Sequence, residues 1–190
     1  MEKVHAARTK NPAFRICMLA AAVCINYAGG QLALLLRLPV YLDSIGTILT
    51  GLMFGPVTGM LPPLISGILM MMAGDIYSLY FAPAGMILGL ASGLVLRRIH
   101  AAGPGLFLAA LLITVPGTLV VAVINAAVFG GVTSSGSSAI VALLSHTPLG
   151  LTGSIFAVQI VTDYLDRLIS LALVMTIDRI PAFRELRRGA

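Results

Sequence analysis

Apolar residues run in six long blocks along this chain, at 14–36, 40–54, 57–73, 82–96, 106–129 and 154–177, with charges gathered mainly between and beyond them. A helix that crosses a bilayer needs about 20 mostly apolar residues. The pattern therefore predicts an all-α membrane protein, a six-transmembrane-helix bundle forming one domain over residues 1–190. The second block is short, and Gly55-Pro56 closes it, because glycine frees the backbone and proline cannot continue helical hydrogen bonding. Pro62-Pro63 removes two amide donors inside the third block, which predicts a kink or break there. Pro116-Gly117 predicts a bend in the fifth.

Composition strengthens the membrane reading: 58% of residues are apolar and 10% charged, against about 25% charged in a soluble domain. Six spans place both termini on one side. With that side cytoplasmic, Lys3, Arg8, Lys10, Arg15, Arg97, Arg98, Arg179, Arg184, Arg187 and Arg188 lie inside, and only Arg37 and Arg167 lie outside. The positive-inside rule then predicts cytoplasmic termini (residues 1–13 and 178–190) and a multi-pass protein of the bacterial cytoplasmic (inner) membrane. A five-span reading would put Arg97-Arg98 and the C-terminal cluster on opposite faces. The basic start resembles a signal peptide, but the apolar run continues past Ala22 to about Leu36 without a small-x-small cleavage site, so it reads as a retained span. The net charge of +5 belongs to cytoplasmic loops and gives no reason to expect nucleic acid. No GxxxxGK[ST] phosphate loop occurs, so ATP-driven work would need another chain.

The outer connections are 37–43, 74–81 and 130–153. The last is too long for a passive turn. Its Gly130-Gly131 and its serine run from Ser134 to Ser138 read as flexible, and residues 139–144 as a short interfacial helix. Such a loop over a polar pocket reads as a lid, the alternative being a surface loop without a role.

The sixth block carries the most chemistry. Gln159, Asp163, Asp166 and Ser170 are spaced 4, 3 and 4 apart and share one helical face, opposite Ile160, Leu165, Ile169 and Leu173. Lipid would leave such a stripe unsatisfied, so it faces a partner helix or a substrate cavity. Asp163 and Arg167 form an i,i+4 pair that predicts mutual neutralisation and leaves Asp166 as the uncompensated carboxylate. Asp43, at the beginning of the second span, reads as a helix N-cap or a site residue. Asp75 with Tyr77 and Tyr80, beside Phe81, reads either as an interfacial anchor or as a platform for a flat heterocycle. Asn26, Tyr27 and Asn125 either bridge helices or touch a ligand. His146 reads as a polar loop residue. No His or Cys spacing matches a metal site, and no cofactor is expected.

Small residues crowd the first span, with Cys17, Ala20, Ala21, Ala22 and Cys24 followed by Ala28, Gly29 and Gly30. The two cysteines read as packing residues. Gly85, Gly89 and Gly93 form a ridge on the fourth span, suited to close helix packing inside the protein or to a dimer face.

The length, the six spans with inside termini, the Ala-rich first span, Leu42-Asp43-Ser44-Ile45-Gly46-Thr47 and the turn Phe54-Gly55-Pro56-Val57-Thr58-Gly59 together resemble the substrate-binding (S) components of energy-coupling factor (ECF) transporters, the bacterial vitamin importers. The resemblance covers nearly the whole chain. It implies a transmembrane coupling protein and two ATPase subunits as partners. It also implies that the small-x-x-x-small pairs Cys17 to Ala21 and Ala20 to Cys24 contact the coupling protein. Substrate would lie near the outer ends of the later helices, at Asp75, Tyr77, Tyr80, Asn125, Gln159, Asp163 and Asp166.

The leading expectation is a non-enzymatic membrane subunit that captures a vitamin or related micronutrient for uptake driven by a separate energising module. A membrane sensor or signalling input domain is second, since it would be expected to continue into a cytoplasmic output domain beyond Arg188. An intramembrane enzyme using Asp163 with Asp166 or Asp75 is third, because no motif supplies a nucleophile.

Overall fold

The computed structural model describes residues 12–99, 101–130 and 133–188. The N-terminal segment with Lys3, His5, Arg8 and Lys10, the residue His100, the Gly131-Val132 pair and the last two residues lie outside the described residues. Every regular element among the described residues is helical. In chain order they are α1 (Pro12–Leu35), α2 (Ile45–Phe54), α3 (Pro56–Gly59), α4 (Leu61–Met72), α5 (Ile76–Arg98), α6 (Pro104–Ile124) with a π-helical turn (Asn125–Phe129), α7 (Ser137–Leu144), α8 (Gly150–Asp178) and α9 (Pro181–Arg188).

Three of these, α1, α5 and α6 with its π-turn, are long and apolar enough to cross a membrane, whereas α2 and the α3–α4 stretch are shorter apolar pieces. Their outward faces carry large apolar side chains such as Leu35, Leu119 and Val123. Over 29 residues α8 is longer still, and it carries the charged stripe.

Backbone chemistry sets the helix ends. After α1, Leu38 N–H donates to the Ala33 carbonyl (2.9 Å) and Arg37 N–H to that of Leu34 (3.1 Å), a Schellman closure with Arg37 in the left-handed position at φ 50°. Glycine usually fills that position. Gly74 does so after α4, at φ 106°, where Asp75 N–H donates to the Met70 carbonyl (3.0 Å). This closure delivers Asp75 to the start of α5. The third apolar block is broken, as its prolines predict, but the break comes at Met60, just ahead of them. Pro62 and Pro63 sit in the first turn of α4, where a missing amide donor is harmless. Much of the expected outer connection 74–81 is instead the first two turns of α5, so Tyr77 and Tyr80 sit on a helix.

Close approach between helices depends on missing side chains. The Gly85, Gly89 and Gly93 ridge faces inward. A Cβ at Gly89 would collide with the Gly59 carbonyl, one at Gly93 with Pro56, and one at Gly85 with the Pro63 ring. The first turn of α2 lies against α1, with Gly46 on the Ala22 carbonyl. Buried Asn26 completes that contact, accepting from Gly46 N–H (2.8 Å) and donating to Thr47 Oγ1 (2.8 Å). Asn26 is thus a bridge between helices, bonded through both ends of its amide.

The bundle has two chemically distinct ends. At one, Arg15 lies over the Phe54 ring (5.4 Å) and donates to Thr58, and Arg97 abuts Gly55. There α9 folds back so that Phe183 and Leu186 join the apolar core beside Phe14 and Phe54, while Arg187 pairs with Asp178 (3.3 Å). The other end receives the C-terminus of α1 and the N-termini of α2 and α5, and holds the candidate site.

Gly89→Leu should destabilise the protein by about 1–3 kcal/mol through overpacking. Asn26→Leu should cost about 1–3 kcal/mol, because it strands the Gly46 amide in the interior. Both appear as a lowered thermal unfolding midpoint, with Leu119→Ala on the outward face of α6 as a near-neutral reference.

Candidate functional site

The polar stripe on α8 is buried along its length: Gln159, Asp163, Asp166 and Ser170 are each at most 1% exposed, whereas Ile160, Leu165, Ile169 and Leu173 on the other face are 43–52% exposed. The two readings of the stripe divide it between them. Its C-terminal half is a structural seam, and Asp163 opens onto a cavity.

Asp166 anchors the segment that enters α2. Leu42 N–H donates to Asp166 Oδ1 (2.7 Å), Ser44 Oγ donates to Oδ2 (3.1 Å), and the Arg167 guanidinium pairs with the same oxygen. Ser44 also lies 3.0 Å from Ser170 Oγ and accepts from Arg167 Nη1 (3.2 Å). The expected pairing is therefore reversed. Arg167 is bonded to Asp166, its neighbour in sequence, and Asp163 is held by neutral donors, Thr118 Oγ1 on α6 (2.8 Å) and Gln159 Nε2 (3.0 Å). The physical reason is Ser44, which comes in from another part of the chain, accepts from the guanidinium and draws it to the Asp166 side. Asp166 does not line the cavity and is fully engaged, so it is a positioning residue.

The cavity is about 80 Å³ and lies between the C-terminus of α1, the 36–44 segment, α4, the start of α5, α6, residues 133–135 and α8. Its chemistry comes from Tyr41, Asp43, Asp75, Tyr77, Asp163 and Arg167. Asp43 is not the cap of α2. Ser44 holds the N-cap position, one residue closer, and makes no side-chain capping bond. Asp75 accepts the Ser78 hydroxyl at Oδ2, while its buried Oδ1 has no partner among the described residues. Tyr77 and Phe81 line the wall and are backed by Phe129, with ring centroids 4.9 and 5.7 Å away. The π-turn after α6 carries that ring, and Gly130 ends the turn at φ 53°.

Other expected site residues lie outside the wall. Tyr80 packs edge-on against Phe129 (5.3 Å) and points outward. Asn125 is buried at the start of the π-turn, and its Oδ1 has no partner among the described residues. Gln159 lies behind Asp163 and beside the Tyr41 phenol, which also approaches Ser135 and Ser137. The serine run is more organised than its composition predicts. Thr133 N–H donates to Ser138 Oγ (2.9 Å), Ser137 N–H donates to Ser135 Oγ (3.2 Å), and α7 docks on α8 through Val141, Ile155 and Val158. His146 is exposed. Cys17, Ala20, Ala21 and Cys24 lie on the outward side of α1, and both thiols are free.

The sequence pattern does not mark Tyr41 or Arg167 as wall residues, and it leaves Asp43 between cap and site. A signal is present in the polar interruption from Arg37 to Ser44. The apolar blocks on either side hide it, because they read as one span following another.

Asp166→Asn should lower the unfolding midpoint sharply, by the equivalent of about 3–5 kcal/mol, because it leaves the Arg167 guanidinium without its buried counter-charge. Asp75→Asn should leave the midpoint unchanged or raise it. Circular dichroism melts of the two variants in detergent check the contrast. No protein-family model matches the chain, and neither a search of curated proteins nor one of solved structures returns a match.

Proposed function

We propose that the chain is the membrane-embedded solute-binding subunit of an ECF-type importer, a six-span protein with both termini in the cytoplasm of a bacterium. It captures a vitamin or related micronutrient from outside for uptake energised by a coupling protein and two ATPases. The observation that carries this reading is a small cavity lined by charged and aromatic side chains inside an otherwise apolar helical protein. Ionisable groups at such depth are costly and mark solute pathways.

The two ends of the bundle support an outward-facing site. Arg15, Arg97, Arg184 and Arg187 belong to the end opposite the cavity. The positive-inside rule assigns that end to the cytoplasm and the cavity to the outside. The wall groups suit binding: carboxylates accept, the guanidinium donates and Tyr77 and Phe81 offer flat faces. The cavity is smaller than the roughly 300–1,000 Å³ clefts that take drug-sized ligands. A vitamin-sized solute therefore enters with displacement of the outer connections, which supply Tyr41 and residues 133–135 to the wall. The outward small-residue face of α1, with Cys17, Ala20, Ala21 and Cys24, suits contact with the coupling protein.

The purified protein should bind one member of a panel of vitamins, nucleobases and amino-acid derivatives without ATP, with a raised unfolding midpoint. Asp75→Ala and Tyr77→Ala should each weaken binding by about tenfold or more, the scale of one lost hydrogen bond to a charged group. If no panel member stabilises the protein and a cytoplasmic signalling protein responds to it instead, the sensor reading replaces transport.

A further inference from the structure

We infer that the cavity takes a small organic cation, an ammonium or a positively charged flat heterocycle, in preference to a neutral or anionic solute. The inference rests on the solute-binding reading and narrows it to a chemical class.

The charged groups of the wall are Asp43, Asp75, Asp163 and Arg167. The one cation among them is already engaged. Arg167 is paired with Asp166, which sits behind the wall, and Nη1 is shared with Ser44. The guanidinium also acts on Asp163 and Asp43, so Asp43, Asp163 and Asp166 share one cation, and Asp75 has none at ion-pair distance among the described residues. Asp163 is held by the neutral donors Thr118 and Gln159. Asp75 accepts from Ser78 and keeps Oδ1 buried without a partner. Arg37, the other outer cation, is exposed and is not part of the wall.

Carboxylates enclosed with little water attract a cation more strongly than the same groups on a surface. The aromatic lining acts in the same direction. Tyr41, Tyr77 and Phe81 border the cavity, and aromatic faces attract quaternary and ring cations. An anionic solute would meet three carboxyl groups and only the one guanidinium, held by Asp166. A cation would find an acceptor in Asp75 Oδ1, an atom to which no described protein group donates.

Three water-soluble pyridine probes of similar shape separate charge from fit: N-methylpyridinium, nicotinamide and nicotinate. Titrated at neutral pH into the full chain in lipid nanodiscs, with thermal unfolding and calorimetry as readouts, the cation should bind at least about tenfold more tightly than either of the others. Asp75→Asn and Asp43→Asn should each reduce that preference. Each should also unfold, without ligand, at or above the wild-type midpoint, because a carboxyl group of the wall has been replaced by a neutral amide of the same shape. This second readout shows that the variants are folded and does not depend on the probe. Equal or tighter binding of nicotinate or nicotinamide overturns the cation assignment while leaving the solute site standing. If none of the probes binds, the charge of the first hit in the vitamin panel decides: a cationic hit supports the assignment and a neutral or anionic hit overturns it. Failure of both probes and panel overturns the cavity as a solute site altogether.

Discussion

The Asp166 carboxylate holds together the end of the bundle that carries the cavity. It receives a backbone amide from Leu42, a hydroxyl from Ser44 and the guanidinium of Arg167, joining two parts of the chain more than 120 residues apart. The tie fixes a costly piece of backbone. Leu42 has φ 53°, a left-handed conformation that a branched side chain rarely adopts. A Cβ on Gly29 would collide with the Leu42 carbonyl, so α1 can approach only because that position is glycine. With Leu42 held in this way, Tyr41 and Asp43 on either side reach the cavity wall.

The same interaction decides the electrostatics of the site. A buried ion pair contributes little net stability against well-packed apolar residues, because desolvation offsets most of the attraction. Its consequence here is positional. By pairing directly with Arg167, Asp166 leaves Asp163 to hydrogen bonds from neutral hydroxyl and amide donors, with the guanidinium acting on it only through space. Two carboxylates on one face of one helix, less than a turn apart, thereby acquire different tasks: Asp166 orders the entry to α2, and Asp163 faces the cavity. Behind the aromatic part of the wall, the π-turn sets Phe129 against Tyr77, Tyr80 and Phe81. The extra residue of such a turn rotates the chain beyond it, a device frequent at functional sites.

Much of the site's position is legible in the amino-acid pattern. The stripe from Gln159 to Ser170 is buried as its spacing predicts, and Asp75, Tyr77 and Asp163 do line one cavity. Pairing is not legible in the same way. Helical spacing makes Asp163 and Arg167 neighbours, and within an isolated helix that pair would form. Ser44 and Leu42 arrive from another part of the chain, and no local pattern announces them. Tyr80 shows the limit of counting along a helix: it follows Tyr77 by three residues, yet packs edge-on against the Phe129 ring and points outward.

The class of protein is written into the chain: long apolar blocks and scarce charges admit an all-helical fold with membrane-length helices, since a backbone in lipid must satisfy its own hydrogen bonds. So are the places where helices break, because Gly55, Pro56, Pro62, Pro63 and Gly74 act on the backbone within a residue or two of themselves. Tertiary packing alone settles which carboxylate takes Arg167, which aromatics face the cavity and how residues 133–138 are held. These are contests between partners remote in sequence, and a buried polar group takes whichever donor the packing brings within about 3 Å.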